Sequence, residues 1–242
     1  MTLDVRLFPC LTDNYGLLVR DRQTGVVATI DTPDAEAILA DLEASGWGRL
    51  DMILNTHWHP DHTQGNARLK SETGCEIVGP EEVRKVAPLD RVIRGGDTLM
   101  LGEVFLEVSD APGHTLGHIV YRAADEGQAF VGDVLFPLGC GRLFEGTPEQ
   151  MWDSLQVLAA WPDETVIWSA HEYTAANARF AMSVDERTQM SDHAASIFAA
   201  RKAGQPTVPT TLASEKAFNP FLRVTSAAEF AVLRAAKDSF SG

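Results

Sequence analysis

Seven consecutive residues constrain this chain more than any other stretch: Thr56-His57-Trp58-His59-Pro60-Asp61-His62. The pattern H-x-H-x-D-H follows directly on Met52-Ile53-Leu54, an apolar run of the length of a buried strand. Alternate side chains of an extended segment share a side, so His57 and His59 are expected to converge on one ion. Asp61 and His62 then face elsewhere as the chain turns into a helix expected at Gly65–Ser71, which suits a second ion nearby. Imidazole and carboxylate are suitable ligands for zinc, iron or manganese. The bland alternative is a polar turn with exposed histidines, but three histidines in six residues around an aspartate seldom arise by chance.

Six of the seven histidines fall in three groups: His57/His59/His62, His114/His118 and His171. Asp133 stands among them. Gly113-His114 by itself reads as a turn, and spacing alone does not choose between His114 and His118.

Around these groups the first half of the chain alternates short β-rich runs with turns. Leu17–Val19 and Val26–Ile30 flank Asp21–Gly25 as a hairpin. A helix follows with Thr32 as N-cap, Pro33 at its first position and Gly46 just beyond its end. Further strands are expected at Glu76–Val78, Thr98–Leu101, Val104–Val108, Ile119–Arg122 and Gln128–Val131. The second half is Ala-rich, with helices expected at Pro148–Ala160, Ala175–Ser183, Asp185–Ala203 and Ala227–Ser239. A connector, Gln205–Pro209, separates the last two. The change of character places a boundary near residue 170, between a mainly β catalytic domain (1–170) and a small helical substrate-binding domain (171–242).

Charge narrows the partners. With 20 basic and 34 acidic residues the net charge is −14, which repels phosphate backbones and excludes nucleic acid as a natural partner. A small anionic substrate would need a local basic patch. No apolar run approaches the roughly 20 residues that span a bilayer, so no membrane partner is expected. Met1–Arg6 lacks the regions of a signal peptide. Cys10, Cys75 and Cys140 are too few and too scattered for a disulfide framework. The cytoplasm is the expected location, and a monomer the expected state.

With Pro112-Gly113-His114-Thr115, Val131-Gly132-Asp133 and Ser169-Ala170-His171 following in order, the seven-residue run resembles the signature of the metallo-β-lactamase superfamily. The resemblance implies an α+β fold, a four-layer αββα sandwich with its metals at one edge of two sheets, here with a small C-terminal helical domain. It implies one divalent ion on His57, His59 and His114, and another on Asp61, His62 and His171. Asp133 would bridge the two, and His118 would be structural or stand behind the ligands. Asp61 and Asp133 are the carboxylates it assigns to catalysis, and zinc is the metal it favours, with iron or manganese as alternatives.

Four further runs are similar to the glyoxalase II family, the hydroxyacylglutathione hydrolases. They are Gly139-Cys140-Gly141-Arg142-Leu143-Phe144-Glu145-Gly146, His171-Glu172-Tyr173-Thr174, Pro209–Leu212 with Asn219-Pro220-Phe221-Leu222-Arg223, and Arg234-Ala235-Ala236-Lys237-Asp238. This likeness implies hydrolysis of S-(2-hydroxyacyl)glutathione, such as S-D-lactoylglutathione, to glutathione and a 2-hydroxy acid, the second step of methylglyoxal detoxification. Arg142, Tyr173, Arg234 and Lys237 would hold the glutathione, whose two carboxylates suit Arg and Lys donors. Arg234 and Lys237, three apart on a helix, share a face. Phe144 stands where some members carry a tyrosine whose hydroxyl assists binding. Cys140 invites a nucleophile reading, but the metals already supply one and a glycine-flanked cysteine suits a tight turn.

Two rivals share the motifs. Persulfide dioxygenases, oxidoreductases with one iron on two histidines and an aspartate, generally lack the H-E-Y-T and R-x-x-K runs. A non-catalytic binding module on the same fold has no need of the full ligand set.

Overall fold

The computed structural model describes residues 2–242; of the N-terminal segment read above, only Met1 lies outside them. The chain forms two compact units. One runs to Asp110 and takes in Gly117–Gly132; the other comprises Ala111–Leu116 and Asp133–Gly242. The change to helix-rich sequence near residue 170 falls inside the second.

In the first unit, β1 (Leu3–Cys10), β2 (Asn14–Asp21) and β3 (Val27–Ile30) form an antiparallel meander. After β3 the connections become right for parallel pairing: α1 (Ala35–Ser45) leads to β4 (Met52–Leu54), and α2 (Pro60–Thr63) and α3 (Asn66–Thr73) lead to β5 (Glu76–Gly79). The short β6 (Arg91–Val92) completes a sheet ordered β1 to β6. Every residue of β3 and β4 is buried, as expected of parallel strands covered on both faces. Leu18, Val27, Ile53 and Ile77 of this sheet pack in one core with Ile38 and Leu42 of α1 and Leu69 of α3. A second run of strands, β7 (Thr98–Leu101), β8 (Val104–Asp110), β9 (Ile119–Ala123) and β10 (Gln128–Gly132), is antiparallel throughout.

One sequence expectation in this unit needs correction. The N-cap of α1 is Asp34, whose carboxylate accepts from the backbone N–H of Glu36 and Ala37. Thr32 is instead buried, with its hydroxyl hydrogen-bonded to Asn66 Oδ1 at 2.7 Å. The helix expected at Gly65–Ser71 is α3, which runs Asn66–Thr73 with Gly65 as its N-cap; a separate single turn, α2, precedes it with Pro60 at its first position inside the histidine motif.

In the second unit, β11 (Leu135–Phe136) and β12 (Gly139–Cys140) form a tight hairpin. Then come α4 (Pro148–Ala159), β13 (Val166–Ser169), α5 (Thr174–Val184), α6 (Thr188–Lys202), β14 (Thr210–Thr211), α7 (Leu212–Phe218), α8 (Pro220–Arg223) and α9 (Ala227–Asp238). A capping box of Thr147 and Gln150 starts α4. Strands β13 and β14 pair antiparallel, Val166 opposite Thr211. Leu138 of the hairpin packs with Ala178 and Ala181 of α5 and Met190, Ala194 and Ile197 of α6. A buried polar knot holds the hairpin in register with α7 and α8. Asn219 Nδ2 donates to the carbonyls of Phe136 (3.1 Å) and Gly139 (2.9 Å), and Glu215 accepts from Leu138 N–H (2.8 Å).

The helix expected from Asp185 instead begins at Thr188. Asp185 is withdrawn from it as the buried counter-ion of Arg187 and Arg223. Among the described residues no helix is long and apolar enough to cross a membrane.

Hydrogen bonding from Arg187 holds the Asp185 carboxyl well below the usual carboxylate range. A depressed folded-state value stabilises the fold above the unfolded value of about 3.9 and loses that stabilisation as pH falls further. Asp185→Asn is therefore expected to lower Tm by a few degrees at pH 7, the two arginines being partly solvent-screened. The gap to the parent should close as pH drops from 5 towards 2. Thermal melts across that range check it, and a pH-independent gap would mean the charge is not responsible.

Candidate metal centre

Parallel strands β3 and β4 end side by side, and the first donors lie just beyond them. His57 Nε2 and His59 Nδ1 face each other at 3.0 Å, so the two imidazoles do converge. The next turn, α2, carries Asp61 and His62, with Asp61 Oδ2 3.5 Å from His62 Nε2. Asn14 Nδ2, from the start of β2, donates to Asp61 Oδ2 at 3.0 Å. Trp58, between the first two histidines, sets its ring edge-on to His59 with Lys85 Nζ above it. His118 stacks on His57, ring centroids 4.6 Å apart. Gly132 is required there: at φ 49° it has the left-handed backbone, and a Cβ would come within 2.6 Å of Thr56 Oγ1 and 2.8 Å of His118 Nε2.

Residues that the sequence reading did not single out stand behind these donors. Asp31, at the end of β3, accepts from His62 Nδ1 (2.8 Å), and Thr56 Oγ1 lies 3.0 Å from His57 Nδ1. Atoms of Asp31, His57 and His62 lie within 4.8 Å of one another, and Asp31 is engaged with Thr56 as well. Nothing in local sequence marks Asp31; its pairing needs the β3–β4 register.

The second unit brings together His114, Asp133 and His171. Asp133 Oδ2 is 3.3 Å from His114 Nε2, and its other oxygen, Oδ1, is 3.4 Å from His171 Nε2. His114 Nδ1 donates to the Arg142 carbonyl at 2.8 Å, which leaves the lone pair on Nε2. Two exposed aromatic rings flank this trio. Phe144, 63% exposed, is edge-on to His114, and Tyr173 lies parallel to His171 at 4.7 Å. Asp133 follows a strand end, His114 a tight turn, and His171 the end of β13.

The chemistry of these donors fits divalent cations. Neutral imidazoles whose outer nitrogen is held by a carboxylate, hydroxyl or carbonyl, interspersed with carboxylates, are the usual surroundings of such ions.

The residues expected to hold the substrate lie in the second unit but differ in exposure. Arg142 is open to solvent, its Nε 3.9 Å from Asp238. Arg234, by contrast, is 4% exposed: Nη1 donates to the Cys140 carbonyl (3.0 Å) and Nη2 to Asp238 (2.7 Å). Lys237 is half-buried over the rings of Phe180 and Phe240. Burial, then the charges of Arg234, Arg179 and Arg142, push its pKa down. Lys237 thus stands among three arginines, with the Asp238 carboxylate acting in the opposite direction. Burial raises the Cys140 thiol to about 11 despite Arg234 beside it, the wrong direction for a nucleophile at neutral pH.

Comparison with known proteins adds to this geometry. Residues 28–171 match the model of the metallo-beta-lactamase superfamily, and residues 172–240 that of the hydroxyacylglutathione hydrolase C-terminus. The chain is 47% identical to a hydroxyacylglutathione hydrolase of Erythrobacter litoralis, covering 98% of this chain and 100% of that one. It is 48% identical to one from Maricaulis maris, with 98% of each covered. Among solved structures, ETHE1 from Myxococcus xanthus superposes with a TM-score of 0.74 at 27% identity, over 96% of this chain and 90% of the other. A metallo-beta-lactamase from Staphylococcus aureus gives 0.74 at 19% identity, over 99% and 67%, a likeness of fold alone. The fold is that of the metallo-β-lactamases, followed by a C-terminal helical region.

Gly141 is where the donors of the second unit are most crowded by backbone. A Cβ on it would collide with the Asp133 carbonyl and come within 3.1 Å of His114 Nδ1. Gly141→Ala is expected to keep the fold and weaken metal binding at least tenfold, the scale of a lost outer-layer contact. Metal titration of the stripped protein checks it; parent affinity in the variant would show that the backbone yields freely there.

Proposed function

The chain belongs to the metallo-β-lactamase superfamily and, within it, to the hydroxyacylglutathione hydrolases, and from that premise we propose how its residues share the work. Water adds to the acyl carbon of an S-(2-hydroxyacyl)glutathione, the C–S bond breaks, and glutathione leaves with a 2-hydroxy acid. With a D-lactoyl group the acid is D-lactate.

We assign one divalent ion to His57, His59 and His114 and another to Asp61, His62 and His171, with Asp133 shared. The observation that carries this two-ion reading is Asp133 itself, which turns one oxygen to His114 and the other to His171. Zinc is the favoured metal, with iron or manganese accepted by the same donors. Such ions supply Lewis acidity, acidifying a water and polarising the thioester carbonyl.

The chain's own groups do the rest. The outer contacts of His57, His62 and His114 hold each ring in one tautomer. Asn14 orients Asp61. The leaving thiolate has a conjugate acid near pKa 8.5, so no strong general acid is needed. Arg142 and Lys237 bind the peptide carboxylates, with Tyr173 and Phe144 as apolar walls; Phe144 contributes no hydroxyl. Arg234 supports them from within, steadying Cys140 and Asp238. In this reading residues 1–170 supply most of the metal donors together with Arg142 and Phe144, while 171–242 supply His171 to the metals and Tyr173 and Lys237 to the peptide.

We place the protein in the cytoplasm as a monomer; its three buried, unbridged cysteines suit a reducing compartment.

Metal analysis with one assay tests the reading. The fully loaded protein is expected to hold two ions per chain, to release thiol from S-D-lactoylglutathione, and to consume no oxygen with glutathione persulfide. Chelation should abolish thiol release and divalent metal restore it. One ion per chain, with Asp61 and His171 dispensable, would defeat the two-ion assignment; oxygen uptake would favour the dioxygenase.

Lys237→Ala is expected to raise KM for the glutathione thioester about tenfold with little change in kcat, since a partly exposed charge contact is lost equally in ground and transition states. A short thioester without the peptide should be unaffected. Only protonated Lys237 attracts a carboxylate, so KM in the parent should rise at alkaline pH below the range of an ordinary lysine, and this rise should vanish in the variant. Equal losses on both thioesters would make Lys237 merely structural. Arg234→Ala is a poorer probe, because it also empties a buried site.

A further inference from the structure

Asp31 is buried, and its backbone has φ 58°, a left-handed conformation uncommon for a residue with a side chain. It is held there by Asp31 N–H donating to the Leu54 carbonyl (3.0 Å) and by the Thr29 hydroxyl donating to the Asp31 carbonyl (2.8 Å). Strained backbone that the surroundings over-determine is characteristic of functional positions. What the strain achieves is the aim of one carboxylate. Oδ1 accepts from Thr56 N–H at 2.7 Å, while Oδ2 accepts from the Thr56 hydroxyl at 2.7 Å and from His62 Nδ1 at 2.8 Å.

These contacts fix protons. The Thr56 hydroxyl, having given its proton to Asp31, can only accept from its other neighbour, His57 Nδ1 at 3.0 Å. His57 is thereby held with its proton on Nδ1 and its lone pair on Nε2. His62, donating from Nδ1 directly to Asp31, is held the same way. We propose that Asp31 is a positioning residue that sets the tautomer of one histidine in each of the two ligand sets, so that a single carboxylate prepares both metal positions at once. This rests on the two-ion reading above. Thr56 is the relay on the His57 side only.

Substitution by asparagine fails in either orientation. With its amide nitrogen at the Oδ2 position it offers donors to Thr56 Oγ1 and His62, driving the His62 proton to Nε2. With the nitrogen at the Oδ1 position it opposes the Thr56 N–H, donor against donor. Thr56→Val, nearly isosteric, removes only the relay.

The first test uses the parent protein, ¹⁵N-labelled and stripped of metal: long-range ¹H–¹⁵N spectra at neutral pH should show His57 and His62 both protonated at Nδ1. A proton on Nε2 of either overturns the proposal. The second titrates zinc, against a competing chelator, into stripped parent, Asp31→Asn and Thr56→Val. Asp31→Asn is expected to weaken both binding steps by 10–100-fold, and Thr56→Val only one. Parent affinity at either step in folded Asp31→Asn, or equal loss at both steps in Thr56→Val, overturns the shared role. If Asp31→Asn does not fold, the spectra and Thr56→Val decide alone. The tautomers are read without metal or turnover, so a parent that bound one ion would defeat the two-ion reading while the tautomer result stood or fell separately.

Discussion

Ile30 lies opposite Leu54 in the parallel pairing of β3 with β4, and the metal-binding half of the first unit depends on that register. Parallel strands end at the same edge, and chemistry in open α/β sheets gathers beyond their carboxyl ends. Here the residue after β3 is Asp31, and two residues after β4 comes Thr56. Asp31 N–H bonds the last carbonyl of β4, locking the two ends together. A slip of one residue would turn Asp31 to the other face and leave His57 and His62 without their orienting partner. From β9, Ile119 N–H reaches the Thr56 carbonyl and the Tyr121 hydroxyl the Asn55 carbonyl, so the segment entering the motif is pinned by backbone as well.

The second unit solves the same problem with polar side chains. Asp133 precedes the β11–β12 hairpin, and the Arg142 carbonyl that orients His114 follows it. The hairpin has only two residues per strand, too few for independent stability. Asn219 and Glu215 supply what the ladder lacks, a buried side chain bonding each of Phe136, Leu138 and Gly139. Asn219 at the same time caps α8 by accepting from Phe221 N–H. The position of the second set of donors is thus coupled to α7 and α8, and through Arg234 and the Cys140 carbonyl to α9.

Much of this was legible in the sequence, for physical reasons. The H-x-H-x-D-H run places its donors within seven residues, so local geometry alone brings His57 to His59, and Asp61 to His62. Regular elements with clear period and capping, such as α4 behind its Pro and capping box or β7 with its alternating burial, needed no tertiary information. Asp31, Thr56 as a relay, Asn219 and Glu215 could not be read that way. Each acts on residues tens of positions distant, and an aspartate after a strand looks like any turn residue. Asp185 misled for the same reason: it is helix-compatible locally, but two arginines draw it out. Family resemblance carried the choice of His114 over His118, which spacing left open. In the structure His118 stacks on His57, while His114 faces Asp133.

A chain of net charge −14 that binds an anionic peptide has to separate its local field from its global one. Screening makes this feasible, since the Debye length is about 8 Å at physiological ionic strength and distant carboxylates count for little. Arg142, Arg179, Arg234 and Lys237 gather about the end of α9, with Asp238 among them. Their division of labour follows from burial. Arg234 spends Nη1 on the Cys140 carbonyl and Nη2 on Asp238, and its buried Nε has no hydrogen-bond partner among the described residues. Its positive charge nevertheless acts on Lys237, whose ammonium is already disfavoured by desolvation. In the proposed reading a carboxylate beside Lys237 would offset both the desolvation of its ammonium and the repulsion from the neighbouring arginines.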